Sequence, residues 1–257
     1  MRTLLLSLLL AAPLVATASE PCKYQAPRHV QLDLAGVRGV QIELHSHTLH
    51  LTGSTTATGL TIDGRACASS QAALDDLQVT QRRDGDQLLV DVSGRGHLNM
   101  SLFGRSYAYL DLTGTVPSNM PVTLTVGSGD ADVRGLQKLD SVVGSGDLTV
   151  SDIAGRFGAS VGSGDIDADH VGSLALGSVG SGDVRASDIQ GDAHIGSIGS
   201  GDVTLRGVGG SVHADTLGSG DLNVRNVSGD LQLGAKGSGD IDYSDIKGHV
   251  SVPHDND

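Results

Sequence analysis

Between Gly127 and Asp240 the chain spells Gly-Ser-Gly-Asp seven times, with the aspartates at 130, 147, 165, 183, 202, 221 and 240. Successive aspartates are 17, 18, 18, 19, 19 and 19 residues apart. A unit this short cannot bury a core alone and must stack on its neighbours, so a repeat of about 20 residues points to a solenoid. The units align without gaps in their apolar positions. The residue after Asp is Ala131, Leu148, Ile166, Val184, Val203, Leu222 or Ile241. Two further on lie Val133, Val150, Ala168, Ala186, Leu205, Val224 and Tyr243, and the sixth position holds Leu136, Ile153, Val171, Ile189, Val208, Val227 and Ile246. A second alternating run gives Ala193/Ile195, Val212/Ala214, Leu231/Leu233 and Val250/Val252.

This pattern predicts an all-β fold: a parallel β-solenoid with two short facing strands per coil and inward aliphatic rows stacked coil on coil. At a spacing of about 4.8 Å the seven coils make a rod roughly 30–35 Å long. The motif glycines are expected to supply φ > 0 where the chain turns. Aromatic residues are only 2 % of the chain and Trp is absent, as expected if large rings do not fit between thin sheets. Lys236 falls where Ile198 and Leu217 are apolar, which predicts a looser last junction.

Residues 19–126 read as a β-rich N-terminal region that continues or caps the solenoid of residues 127–252, with 253–257 a polar tail. Alternation predicts strands at Val30–Leu34, Val40–Leu44, Thr48–Leu51, Leu77–Thr80, Gln87–Val92, Leu98–Leu102, Tyr107–Leu112 and Val122–Val126. Asp84-Gly85 between two of them is a hairpin signal. Only Ser69–Asp76 looks helical, with Ser69 or Ser70 as its cap, and Pro117 and Pro121 break the chain at the boundary with the repeats.

The first 18 residues read as a secretion signal: Met1-Arg2, an apolar run from Leu4 to Ala12, and the small-residue site Ala16-Thr17-Ala18. The run is shorter than the roughly 20 apolar residues of a membrane span. No later segment is apolar enough, so no transmembrane segment is expected after cleavage. Ser19-Glu20-Pro21 before Cys22 does not fit lipoprotein processing. Export places the product in the periplasm, on the outer surface or in the medium, where Cys22 and Cys67 are expected to pair as a disulfide. Seventeen Lys and Arg against 30 Asp and Glu give a net charge of −13. Such a surface repels nucleic acid and anionic lipid and attracts cations.

The ladder Asp130, Asp147, Asp165, Asp183, Asp202, Asp221 and Asp240 carries two readings. Each side chain accepts backbone N–H groups and ties down a turn, or the carboxylates hold calcium, as Gly/Asp corners of β-rolls do. The calcium nonapeptide orders its residues differently, which favours turn-capping, so no cofactor is expected on this ladder unless it is calcium. Asp152, His170 and Asp188 form a second column, and His194 and His213 a third; both read as outward polar rows. His45, His47 and His50 form a cluster that zinc or copper would accept. Phosphate loops and His-Glu-x-x-His are missing from the sequence, and the many Ser and Asp residues repeat as corner residues, so no catalytic residue is expected. The outward row Asp132, Thr149, Asp167, Arg185, Thr204, Asn223 and Asp242 is too mixed for ice binding.

The Ser-Gly-Asp-apolar-x-apolar repeat, after a signal peptide and an alternating β region, resembles bacterial putative-adhesin proteins of unknown function with β-strand repeats, similar to auto-transporter-adhesin-like head domains. The resemblance covers residues 28–252. It implies the architecture and brings no catalytic residues. The expectation for the chain is a non-enzymatic envelope or surface binding module with a protein or glycan ligand, outward ladders and the segment Tyr243–Val252 as contact surfaces, and end-to-end self-association as a further partner. The alternatives are a calcium-stabilised or structural envelope scaffold and, less favoured, a β-helical polysaccharide-active enzyme.

Overall fold

The computed structural model describes residues 22–94 and 106–253. The expected signal (1–18), the strand expected at 98–102 and residues 254–257 of the tail lie outside the described residues. The first part of the chain forms β1 (Tyr24–Asp33), β2 (Gly39–Leu44), β3 (Thr48–Ser54), β4 (Gly59–Ala68), α1 (Gln71–Asp76), β5 (Leu77–Asp84), β6 (Gln87–Gly94), β7 (Ala108–Pro117), β8 (Val122–Val126) and β9 (Asp130–Arg134). There follow β10 (Leu139–Val143), β11 (Leu148–Val161), β12 (Ile166–Val179), β13 (Val184–Ile189), β14 (Ala193–Ile198), β15 (Val203–Val208), β16 (Val212–Leu217), β17 (Leu222–Val227), β18 (Leu231–Lys236), β19 (Ile241–Ile246) and β20 (Val250–Ser251).

These strands build a parallel β-solenoid with two stacked faces. One face runs β7-β3-β9-β11-β12-β13-β15-β17-β19. The other runs β6-β2-β8-β10-β11-β12-β14-β16-β18-β20. The long strands β11 and β12 contribute to both faces, bending around one corner. Register is set by the inward rows: Val184, Val203, Leu222 and Ile241 stand in one column, Ala193, Val212, Leu231 and Val250 in another. A one-residue slip would turn every one of these side chains to water.

The first Gly-Ser-Gly-Asp does not mark the first coil. The pair β2–β3 stacks in parallel beneath β8–β9, and β6–β7 stacks beneath β2–β3. The chain therefore lays down an inner coil, goes outward, and returns over it through residues 118–121 after Pro117. The far end is closed by antiparallel strands, with β4 on β7, β1 on β4 and β5 on β6. Helix α1 connects β4 to β5 and buries Leu74. Its N-cap is Ser70, whose hydroxyl accepts the Ala73 N–H at 3.2 Å. Arg28 on β1 then donates to the carbonyls of Leu74 and Leu77 at 2.8–3.0 Å, tying the helix C-terminus to β1 beside the Leu77 N–H that already caps Leu74. A disulfide joins Cys22 to Cys67 on β4, closing a separation of 45 residues; in the chain-entropy picture such a loop contributes about 4 kcal/mol.

Two expectations need correction. Phe157 is fully buried, so a ring does fit between the sheets. It stands in the column of Leu139 and Leu174, and the next inward row is small there, with Ser141 and Ala159, which offsets the extra volume. The motif glycines also do not adopt positive φ: the only positive-φ glycines among the described residues are Gly36, Gly85, Gly135 and Gly207.

Candidate functional site

Each coil has two corners, and they turn the chain by different means. At the motif corner the backbones of successive coils lie almost in contact. A Cβ added to the second glycine of a motif (Gly129, Gly146, Gly164, Gly182, Gly201, Gly220 or Gly239) would sit 1.8–2.0 Å from the carbonyl oxygen of its equivalent one coil below. Glycine is required there by approach distance. The Asp that ends the motif reaches across coils. Asp147 accepts the backbone N–H of Asp165 at 3.3 Å, Asp165 that of Asp183 at 3.0 Å, Asp183 that of Asp202 at 3.3 Å, Asp202 that of Asp221 at 2.9 Å, and Asp221 that of Asp240 at 3.1 Å. Each carboxylate thus serves the next coil's turn and not its own, and every acceptance offsets part of the repulsion between neighbours.

The opposite corner turns on one left-handed residue per coil. Asp152, His170, Asp188, Asn226 and Asp245 have φ of 53–57°, and Gly135 and Gly207 have 72° and 70°. All seven stand five residues after the motif Asp. The column read from sequence as an outward polar row is therefore the hinge of the second corner. A signal for it was present: Gly, Asp, Asn and His are the residues that tolerate this conformation. Further round that corner, Asp192 accepts the N–H of Ser211, Ser211 that of Asp230, and Asp230 that of His249, at 2.7–3.0 Å.

The three N-terminal histidines are not brought together as one ligand set. His45-Ser46-His47-Thr48 occupies the place that Gly-Ser-Gly-Asp takes in the coil above. His45 is exposed and its Nε2 lies 3.0 Å from Asp91, with Glu43 nearby. His47 turns inward at 3 % exposure. Its Nδ1 accepts the Leu110 N–H at 3.3 Å, while its Nε2 has no hydrogen-bond partner. Burial holds the His47 pKa below the ordinary imidazole value; His45 adds to this and Asp91 opposes it. His50 lies on the outward row of β3.

His170 and Asp169 form an exposed pair at the hinge, 2.6 Å apart. The hydrogen bond to Asp169 raises the His170 pKa, helped by charge. The Ser187 hydroxyl, donating at 2.6 Å, is the main cause holding Asp169 below the usual carboxylate range, with His170 next.

The two ends of the rod differ. In the sixth coil Leu222, Val224, Val227, Leu231 and Leu233 are at most 3 % exposed. Their counterparts in the last coil, Ile241, Ile246, Val250 and Val252, are only partly buried, and Tyr243 is 46 % exposed. Strands β19 and β20 have no outer partner among the described residues. Lys236 continues the apolar column below them; its stem covers apolar surface while the ammonium lies 4.0 Å from Asp240. At the sealed end an open cleft of about 640 Å³ is lined by Gln31, Asp33, Ser54, Thr56, Thr58 and Thr115, with no aromatic platform. No helix among the described residues is long and apolar enough to cross a membrane.

No curated protein matches the sequence. Among solved structures the chain is similar to one described as a putative adhesin from Parabacteroides merdae, at 13 % identity and a TM-score of 0.53, covering 90 % of this chain and 97 % of that one. It is also similar to one described as a putative lipid binding protein from Parabacteroides distasonis, at 14 % identity and a TM-score of 0.51, covering 89 % and 97 %. At these identities the likeness concerns the fold. The Toastrack DUF4097 family matches residues 37–256, which takes in every coil of the rod and most of the antiparallel cap. The chain belongs to the Toastrack DUF4097 family.

Proposed function

We propose that the chain is an exported, non-enzymatic binding module that holds an envelope or surface protein at the open end of its solenoid. The carrying observation is the contrast between the ends: one sealed by β1, β4, β5 and α1, the other presenting Tyr243 and four partly buried aliphatic residues beside unpaired strand edges. Such an edge accepts an extended segment by strand addition, the backbone supplying affinity and the apolar row specificity. The adhesin-like neighbour supports a surface role. The scarcity of aromatic residues favours a protein over a glycan, and the charge of −13 disfavours nucleic acid and anionic lipid.

Binding to whole cells and to isolated envelope proteins tests this reading. Saturable binding is expected, and Tyr243→Asp should weaken it by about thirtyfold, as losing a central aromatic anchor does, with little change in melting temperature. Absence of binding to cells, envelope proteins and peptidoglycan, or equal binding by the variant, overturns it. If the occupant is a second copy, sedimentation will show a dimer that the same substitution dissolves.

A further inference from the structure

The column that contains His194 and His213 reads Ala175, His194, His213, Gln232 and Ser251 across five coils. Its two imidazoles come from adjacent coils in register and lie nearly parallel, with centroids 5.4 Å apart and planes 7° apart. Two residues after His213, Asp215 stands where the neighbouring coils have Gly196 and Gly234. A Cβ at Gly234 would meet the Asp215 carbonyl oxygen at 2.7 Å, so the two backbones are directly stacked there. Only this coil of the three places a side chain at that position, and it is a carboxylate facing both rings. Its oxygens lie 2.9 Å from Nε2 of His213 and 3.7 Å from Nε2 of His194. One ligand atom from each of the three residues falls within a 4.8 Å cluster.

We infer that His194, His213 and Asp215 form a binding site for a divalent transition-metal ion of the zinc class, bridging two successive coils. Three observations combine here: two imidazoles held in register by the ladder, both Nε2 atoms turned to one carboxylate, and glycines on either side that leave it room. Two nitrogens and one oxygen are the donor set that such borderline ions prefer, whereas calcium and magnesium take oxygen. Metal–nitrogen distances of about 2.0–2.1 Å require the three groups to close in slightly, and side chains about half exposed can do so by small rotations. The remaining coordination positions go to water. The other two groupings, Glu43-His45-Asp91 and Asp169-His170-Asp188, have a single imidazole each and fit the ion less well.

Titration of the full chain with zinc by calorimetry, and with cobalt by visible absorption, tests the site. One equivalent is expected, together with a rise in melting temperature that calcium does not reproduce. Zinc binding should release protons when the solution is acidic enough to protonate the ligands, because a ligating imidazole must be neutral. His213→Gln and Asp215→Asn should each weaken binding at least about tenfold, while His45→Gln leaves it unchanged. No saturable zinc binding, or binding that survives the double substitution His194→Gln and His213→Gln, overturns the proposal.

Discussion

The two corners of each coil do the same geometric work with opposite tolerances. At the motif corner the backbone conformation is ordinary and the constraint is distance, because the next coil's carbonyl occupies the space a Cβ would need. At the hinge corner there is room, and the constraint is a left-handed φ that most residues adopt at a cost of roughly 1–2 kcal/mol. The first demand admits only glycine, which explains why Gly-Ser-Gly-Asp repeats almost without variation. The second admits Gly, Asp, Asn and His, which explains why that column looks irregular.

Paired substitutions at the two corners of one coil should separate these constraints. Gly201→Ala places its Cβ about 1.9 Å from the Gly182 carbonyl oxygen, a backbone atom that cannot move without parting two coils. A loss of upwards of about 3 kcal/mol is expected in urea unfolding. Gly207→Ala has as its nearest neighbour the Asp188 carboxylate oxygen at 3.1 Å, the end of a side chain that can turn away, with backbone no closer than 3.7 Å; it should cost about 1 kcal/mol, the left-handed penalty less the entropy removed from the unfolded chain. Gly207→Asn should lie within about 0.5 kcal/mol of the parent, whereas Gly201→Asn should be as damaging as alanine. Equal costs at the two corners would show that distance does not distinguish them.

The Asp of the motif corner comes next in size. Asp202→Ala removes the acceptor for the Asp221 N–H and should cost about 1 kcal/mol. Asp202→Asn keeps an acceptor and deletes one charge from an acidic column, so its melting temperature should equal or exceed the parent's. If the column instead works by holding calcium, Asn will be destabilising in millimolar calcium and chelator will lower the parent's melting temperature. Those measurements decide between tying the turn and holding an ion.

The coils were legible because inward positions repeat in both type and spacing, and a period of 17–19 residues leaves few folds. The hinge was legible in principle but is masked by chemistry: Asp152, His170 and Asp188 look like ligands when only side chains are considered. The strand β4 is hard to read from sequence because Gly64 interrupts its alternation. In the structure a Cβ on Gly64 would strike the Asp111 carbonyl of β7 at 2.1 Å, so the same close approach that sets the motif corner hides a cap strand. The nesting of β2–β3 between β6–β7 and β8–β9 has no local signature, since a His-Ser-His-Thr turn replaces Gly-Ser-Gly-Asp. Long-range stacking order resides in which inward rows meet across coils, and no local motif marks the N-terminal ones. Nor could spacing alone show that His45 and His47 point to different environments, since they flank a corner instead of sharing a strand face.

The smallest expected effect is also the most specific, because the corners respond to acid in opposite directions. His47 sits at the N-terminal equivalent of the motif corner, buried and with its pKa depressed. The unfolded chain binds its proton first, near pH 6.5, so its effect on stability turns unfavourable as pH falls through that value. His170 sits at the hinge with its pKa raised by Asp169. Its favourable contribution is fully present below about pH 6.5 and is lost as pH rises through the higher folded value. Asp169, held low, adds stability that is present above its unfolded pKa of about 3.9 and lost as pH falls further. Between about pH 4 and 6.5 the hinge pair is therefore at its strongest, while the His47 corner is already weakened. Melting curves at pH 7.5 and 5.5 should show His47→Gln reducing the acid loss seen in the parent and His170→Asn enlarging it. NMR titration of the His170 imidazole should place its pKa above the ordinary value and bring it down in Asp169→Asn. Melting shifts of the same sign in the two histidine variants would mean that the corners do not differ in their coupling to protons.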